Sequence, residues 1–353
     1  MTEHANLVEV TPAEAGQKLL QLLARRLGLP AALLHRWIRS GQVRRNGKRT
    51  KPFERVQARD VLRLPPFAAH VAASEARLPA PPTPLPPLPL LHRDAELLVC
   101  NKPAGLPVHG GSGHRDSLVA RVAAHFAGAA FAPTPAHRLD RDTSGLLLLA
   151  ASYRMLRALQ DALRAHALHK EYVAWLEGMW GGKDGLHAPP RLLRHILGKQ
   201  YTGPDELVRV QANGSTGRGI REARCIVGAL RCLPPDPAHP RGRTLAHIRL
   251  LTGRTHQIRA QLAAEGCPVC GDGKYGTGGG PLRLHALRLI LPPDMDARLT
   301  TAGLGDAPLA PAPARGLWDN REFVALPPWQ GEEALVCAPL PLSGPLAGMD
   351  APC

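Results

Sequence analysis

Between His137 and Gly145 the chain reads His-Arg-Leu-Asp-Arg-Asp-Thr-Ser-Gly, which gathers two carboxylates, two guanidiniums and an imidazole. The apolar run Leu146 to Ala151 follows at once. Opened by Gly145 and closed by Ser152, it reads as a buried central strand, so the charged stretch lies at the mouth of a core element. Charge held that close to a core must pair internally or act on something else, because burying it alone is costly. A carboxylate so placed can serve as a nucleophile or a base. The competing reading is a plain surface turn entering a strand. A hydrolytic set of His137, Asp140 and Ser144 is disfavoured, since no G-x-S-x-G elbow precedes a helix. Asp142 reads as structural, capping the turn with Thr143.

A second polar cluster, Thr252 to Arg259, follows the strand Leu245 to Leu251 and opens a helix that ends at Gly266. Arg254, His256 and Arg259 then sit in the first turns of that helix. Cations are poorly placed there, because the helix dipole favours acidic residues at an N-terminus. No acidic neighbour is close in sequence, so the obvious internal partner for one arginine is a carboxylate of the first cluster. Between the clusters, His169 to Glu177 alternates as a strand that puts Tyr172 on the face of Lys170, with Glu171 opposite. The glycine-rich loop Gly105 to Gly113 lacks both Walker and dinucleotide spacing, so no nucleotide cofactor is read from it. Cys267 and Cys270 form a single CxxC without a second pair, a weak zinc signal, and no metal is assigned.

These clusters need a scaffold, and 353 residues with 44% hydrophobic content can supply one large domain and a small one. The net charge of +15 favours a polyanionic partner, with nucleic acid first. No apolar run reaches the length of about eighteen residues that would cross a membrane, and the N-terminus has no signal-peptide pattern. Seven scattered cysteines suit a reducing compartment, so the expected location is cytoplasmic. Residues 1–67 hold thirteen Lys and Arg against five Asp and Glu. There, Gln17 to Leu27 predicts an amphipathic helix ending near Gly28. A second helix follows Pro30, and Asn46-Gly47 predicts a hairpin before a strand over Asp60 to Leu64. Arg36, Arg39, Arg44, Arg45, Lys48 and Arg49 crowd into a phosphate-binding face, none spaced to pair with a carboxylate.

Residues 68–91 read as a Pro-rich, extended linker. The main domain is expected over 92–341, beginning with a strand within Asp94 to Pro103. Ser117 and Ser152 cap helices through Phe126 and Ala165. A Pro/Ala-rich insertion over 294–330 precedes a closing strand at Glu333 to Pro339, and residues 342–353 read as a disordered tail.

The strings HRLDRDTSGLLLLA, KEYVAWLEG, LTGRTHQIRAQLAAEGCPVCGDGKYG and RLHALRLIL, in that order, resemble the RluA family of RNA pseudouridine synthases. Residues 33–64, LLHRWIRSGQVRRNGKRTKPFERVQARDVLRL, resemble the S4 RNA-binding domain. Together the resemblances imply an α+β chain: a small S4-like domain, then a mixed, mainly antiparallel sheet flanked by helices with a central cleft. They imply Asp140 as the catalytic aspartate, Tyr172 packing on the target uracil and Arg259 pairing with the aspartate. Arg138 would take the place of the flipped base, Arg254 and His256 would line the RNA backbone side, and Leu284 would lie against the base. The implied partner is structured RNA, 23S ribosomal RNA or a pre-ribosomal particle, acted on by a monomer. Transfer RNA and a non-catalytic RNA-binding role are the alternatives. The implied isomerisation breaks N1–C1′ and joins C5 to C1′, and needs no cofactor.

Overall fold

The apolar run after Gly145 is a central strand in the computed structural model, which describes residues 6–29, 31–68, 71, 85–110, 116–129, 131–202, 205–212, 214–217, 219–302 and 317–331. Ahead of it, the chain forms β1 (Leu7–Glu9), α1 (Leu19–Leu27), α2 (Ala31–Arg39), β2 (Arg44–Arg45), β3 (Lys48–Arg49) and β4 (Val61–Arg63). The strands make a separate antiparallel sheet in the order β1-β4-β2-β3. Leu19, Leu22 and Leu23 of α1 and Leu34, Trp37 and Ile38 of α2 lie at helical spacing, and they close a core of their own with Val43, Val56 and Leu62. Gly28 ends α1 at a φ of 66°, its N–H bonded to the Ala24 carbonyl. Asn46 and Gly47 both take positive φ, which the tight turn from β2 to β3 requires. Pro30 and residues 69–70 and 72–84 of the expected linker lie outside the described residues.

The main domain runs β5 (Leu90–Arg93), β6 (Leu97–Lys102), α3 (Leu118–His125), β7 (Thr134–Pro135), β8 (Ser144–Ala150), α4 (Tyr153–Arg164), β9 (His169–Glu177), β10 (Arg191–Thr202), β11 (Asp205–Gln211) and β12 (Arg221–Leu233). It continues through β13 (Arg243–Leu250), α5 (Gln257–Ala264), β14 (Leu284–Ile290), α6 (Met295–Ala302) and β15 (Glu322–Val324). Its strands form one 11-stranded sheet, ordered β11-β10-β12-β13-β9-β14-β8-β6-β5, with β15 on β14 and β7 on β8. All its pairings are antiparallel except β14 with β8. Strand β8 is buried on both sides, and its period of two divides it between layers. Leu147 and Leu149 pack with α3 and α5 residues such as Val122 and Leu262. Leu146, Leu148 and Ala150 pack with Met155 and Leu159 of α4 and Leu299 of α6. Ser117 and Ser152 accept the Ala120 and Met155 N–H groups, both at 3.2 Å, and so start α3 and α4 as expected.

One expected boundary is corrected. Leu88 is buried in the core and β5 begins at Leu90, so the linker expected to reach 91 gives way to sheet earlier. The stretch expected as an insertion over 294–330 contributes α6, buried Trp318 and Trp329, and β15, which pairs with β14. Its apolar residues at both ends have core to fill. Residues 303–316, the expected closing strand at 333–339 and the tail at 342–353 lie outside the described residues.

The parallel seam between β8 and β14 pairs Gly145 with Ala286. Gly145 has a φ of +108°, and a Cβ there would come within 2.3 Å of the Ala286 carbonyl oxygen. Only glycine meets both demands. Gly145→Ala is expected to destabilise the protein by at least about 2 kcal/mol in denaturant titration, through overpacking against backbone that cannot give way.

Candidate active site

Lys102 ends β6 as a fully buried cation. Its Nζ donates to the carbonyls of Pro103 (2.9 Å), Leu106 (2.8 Å) and Arg141 (2.8 Å), and the last bond ties loop 138–143 to the sheet. Burial pushes Lys102 down to about 8, opposed by the charges of Asp142 and Asp140. The loop closes on itself where the Thr143 N–H donates to the Asp140 carbonyl at 3.2 Å. Asp142, expected to cap that turn with Thr143, faces the adjacent Arg141 guanidinium at 3.1 Å in an exposed pair instead. On the near side, His137 Nε2 accepts the Leu148 N–H at 3.3 Å. Desolvation and the neighbouring Lys170 push His137 down to about 3, so it is neutral at physiological pH.

The loop delivers Asp140 to Arg259 of α5. The Asp140 side chain is 18% exposed, and its Oδ2 accepts from Arg259 Nη1 at 3.3 Å while facing His256 Nε2 at 3.9 Å. Arg259 is held mainly from the other side. Its Nε and Nη2 donate to Asp272 Oδ2 at 2.7 Å and Oδ1 at 2.8 Å, a bidentate pair with a fully buried carboxylate. Asp272 Oδ1 also accepts the N–H groups of Lys274 (2.9 Å) and Tyr275 (3.1 Å). Burial opposes ionisation of Asp272, but the Arg259 pair and these amides outweigh it and hold the acid below the usual carboxylate range. Burial likewise opposes the Arg259 charge, and Asp272, then Asp140, raise it above its ordinary value. The anionic compensation expected for this cationic helix start therefore comes first from Asp272 and second from the first cluster.

Tyr172, on β9, is buried on the same face of the sheet as Ile258 and Leu284. Burial, reinforced by the Asp140 charge, pushes its phenol up, so the hydroxyl keeps its proton. Arg138, Asp140, Tyr172, Arg254, His256, Arg259 and Leu284 all line one open pocket of about 70 Å³. Arg138 and Arg254 are exposed at its rim. A larger cavity of about 560 Å³ near Arg241 and Arg283 includes none of these seven residues.

Two details of the second cluster differ from expectation. Helix α5 starts only at Gln257, so Arg254 and His256 precede it. The turn into it is closed by Gln257, whose Oε1 accepts from the Arg254 N–H (3.0 Å) and from the Thr252 hydroxyl (2.8 Å). His256 turns inward, toward Asp140 and Tyr275, rather than out toward a backbone. In the N-terminal unit, Arg36, Arg39, Lys48 and Arg49 are exposed, and half-buried Arg44 donates to the Gly47 carbonyl at 3.3 Å. Arg45 departs from the reading that no carboxylate pairs with this face, since its Nε lies 2.6 Å from Asp60 Oδ2.

Lys102, Asp272 and Tyr275 were not singled out from the sequence. The glycines around Asp272 carried a usable signal: Gly271 has a φ of +75°, and a Cβ there would meet the Pro281 carbonyl oxygen at 2.2 Å. That close approach fixes the turn carrying Asp272, but its partner lies 13 residues back and becomes visible only in the fold.

The family described as RNA pseudouridylate synthase matches residues 96–264, which include Asp140, Tyr172 and Arg259. Ribosomal large subunit pseudouridine synthase C of Escherichia coli K12 is 33% identical over 311 residues, 86% of this chain and 85% of that protein. The protein of the same name from Pasteurella multocida is 34% identical over 284 residues, 78% of this chain and 79% of that one. A solved structure, human RNA pseudouridylate synthase domain containing 1, aligns at 24% identity and a TM-score of 0.48, covering 58% of this chain and 78% of that one.

Asp272→Asn removes the charge opposite buried Arg259 and is expected to cost about 3 kcal/mol of stability. The sign of its pH dependence follows from the lowered folded-state value. The stabilisation is present above the unfolded aspartate value of about 3.9 and is lost as pH falls through the folded one. Denaturant titrations from pH 6 down to pH 2 should therefore give a shallower acid decline in the variant than in the parent protein.

Proposed function

The chain belongs to the RNA pseudouridylate synthase family, and from that premise we propose that it isomerises specific uridines of large-subunit ribosomal RNA, with Asp140 as the catalytic carboxylate. The observation that carries this reading is the single pocket in which Arg259 holds Asp140 beside Tyr172 and Leu284. The Arg259 and His256 contacts both fall on Asp140 Oδ2, which leaves Oδ1 to meet the sugar.

Asp140 acts at the ribose, either by attacking C1′ or by taking the C2′ proton. In both routes the N1–C1′ bond breaks, and its electron pair leaves on N1 of the uracil. The detached ring stays between the Tyr172 face and Leu284, turns, and forms the C5–C1′ bond, as the Asp140–C1′ bond breaks in the first route or as Asp140 returns the proton to C2′ in the second. The C5 proton is then lost and a proton is gained on N1, so the reaction is an isomerisation with no net redox change. The negative carboxylate opposes the positive charge developing at C1′. Arg138, exposed at the rim, fills the stack that the flipped nucleotide vacates.

The N-terminal unit, which resembles an S4 domain, supplies RNA affinity through Arg36, Arg39, Arg44, Lys48 and Arg49, whereas Arg45 is engaged by Asp60. The enzyme works in the cytoplasm as a monomer, on free 23S ribosomal RNA or a pre-ribosomal particle.

Two measurements test this. Pseudouridine maps of ribosomal and transfer RNA are compared between cells lacking the gene, restored cells and cells carrying Asp140→Ala. Ribosomal sites should disappear on deletion, return on restoration and stay absent with Asp140→Ala. Identical maps in all three would leave a non-catalytic RNA-binding role, and loss confined to transfer RNA would move the substrate there. Replacing Arg36, Arg39 and Arg44 together should weaken RNA binding and lower the slope of log affinity against log salt by up to about three, one for each phosphate that is no longer neutralised.

A further inference from the structure

His256 combines an unusual backbone conformation with a side chain engaged at both ring nitrogens. It takes a left-handed conformation, with φ 50° and ψ 21°, just before α5. That region is unfavourable for a residue with a Cβ and is kept only where the surroundings enforce it. The ring turns inward, with Nδ1 2.9 Å from the Tyr275 hydroxyl and Nε2 3.9 Å from Asp140 Oδ2. Tyr275 is pinned in turn: its hydroxyl oxygen accepts the Val208 N–H at 2.9 Å, and its ring lies 5.2 Å from the Arg259 guanidinium.

The proton positions follow from these contacts. Burial, with Arg259 and Lys274 nearby, holds the His256 imidazole below its ordinary value against the pull of Asp140 and Asp272, so the ring is neutral near pH 7. A neutral ring carries one N–H. Were that proton on Nδ1, the Tyr275 oxygen would receive two donors and its own proton would have no acceptor among the described residues. The Nε2 lone pair would also face the Asp140 carboxylate. With the proton on Nε2, the Tyr275 O–H donates to Nδ1, the Val208 N–H keeps its acceptor, and an N–H dipole faces Oδ2.

We propose that Tyr275 sets the tautomer of His256, so that Nε2–H supports the Asp140 carboxylate on the Oδ2 side while Oδ1 stays open to the sugar. The proposal rests on the reading of Asp140 as the catalytic carboxylate. His256 and Tyr275 are positioning residues within it, the second acting through the first. Arg259, Tyr172 and Lys102 are the other titratable groups that bear on Asp140.

The direct test is a long-range proton–nitrogen NMR spectrum of the His256 ring in the full-length enzyme with labelled histidine, assigned by its absence in His256→Asn. The expected result at neutral pH is protonated Nε2 and bare Nδ1; a neutral ring protonated at Nδ1 overturns the proposal. This readout does not depend on activity, so it separates failure of the proposal from failure of the proposed function.

Kinetics on a substrate RNA give the second arm. His256→Gln keeps an N–H near the Nε2 position and should retain kcat within about threefold. His256→Asn tolerates the left-handed backbone but loses that donor. It and Tyr275→Phe should each lower kcat about three- to tenfold with little change in KM, and raise the acidic limb of the kcat profile by about half a pH unit. In the His256→Asn background, Tyr275→Phe should add nothing further. Independent losses in the double variant, an unmoved acidic limb, or equal losses in His256→Gln and His256→Asn would each overturn the proposal. Should Tyr275→Phe fail to fold because Val208 loses its acceptor, the ring spectrum of the parent enzyme still decides.

Discussion

A buried guanidinium shared by two carboxylates sets the geometry of this site. Arg259 sits where neither its charge nor that of Asp272 is tolerable alone, and the bidentate pair at 2.7 and 2.8 Å makes each the condition for the other. With Nε and Nη2 committed to Asp272, Nη1 is left pointing at Asp140. The weaker, longer contact is the one made to the proposed catalyst. That asymmetry suits an acid that must interact with substrate, since a carboxylate fully consumed by its own arginine would have little left to offer. Asp272 therefore acts as the anchor, and Asp140 meets a cation that is already in place.

The anchor is useful only because the sheet brings the two clusters together. Asp140 enters on the loop before β8, Tyr172 lies on β9, and Leu284 begins β14, the strand between them. The seam of β14 with β8 is the sheet's parallel pairing, and Gly145 lets the two backbones approach there. Lys102 holds the loop from the other side by gathering three carbonyls, one of them Arg141's. A buried ammonium with three fixed acceptors is a stiff clamp, because releasing any one of them strands a charged donor.

Charge is distributed by task. In the main domain, Lys102 and Arg259 sit in the core with designated acceptors, whereas Arg138 and Arg254 stand exposed at the pocket rim. In the N-terminal unit most of the basic face is solvent-exposed, and Arg45 braces the small sheet through Asp60. The exposed basic face of the N-terminal unit is thus available to a polyanion, while buried charges such as Lys102 and Arg259 serve geometry.

Local patterns carried much of this in advance. The period of two in Leu146 to Ala150, the helical spacing in α1 and α2, the Asn46-Gly47 turn and the serine caps each depend on a few adjacent residues, and each is found as read. The residue types at Asp140, Tyr172 and Arg259 were also legible, through their order and resemblance rather than through any visible contact. What stayed hidden depends on meetings across long separations. Asp272 is an ordinary aspartate until folding sets it against Arg259, Arg45 shows no partner until Asp60 is beside it, and His256 meets Tyr275 only in the fold. Periodicity and propensity are properties of neighbouring residues, so the sequence by itself determined the elements and the chemical inventory. Pair distances and burial are properties of the packed sheet, so only the tertiary structure decided which charges meet, which stay neutral, and which side of Asp140 is left open.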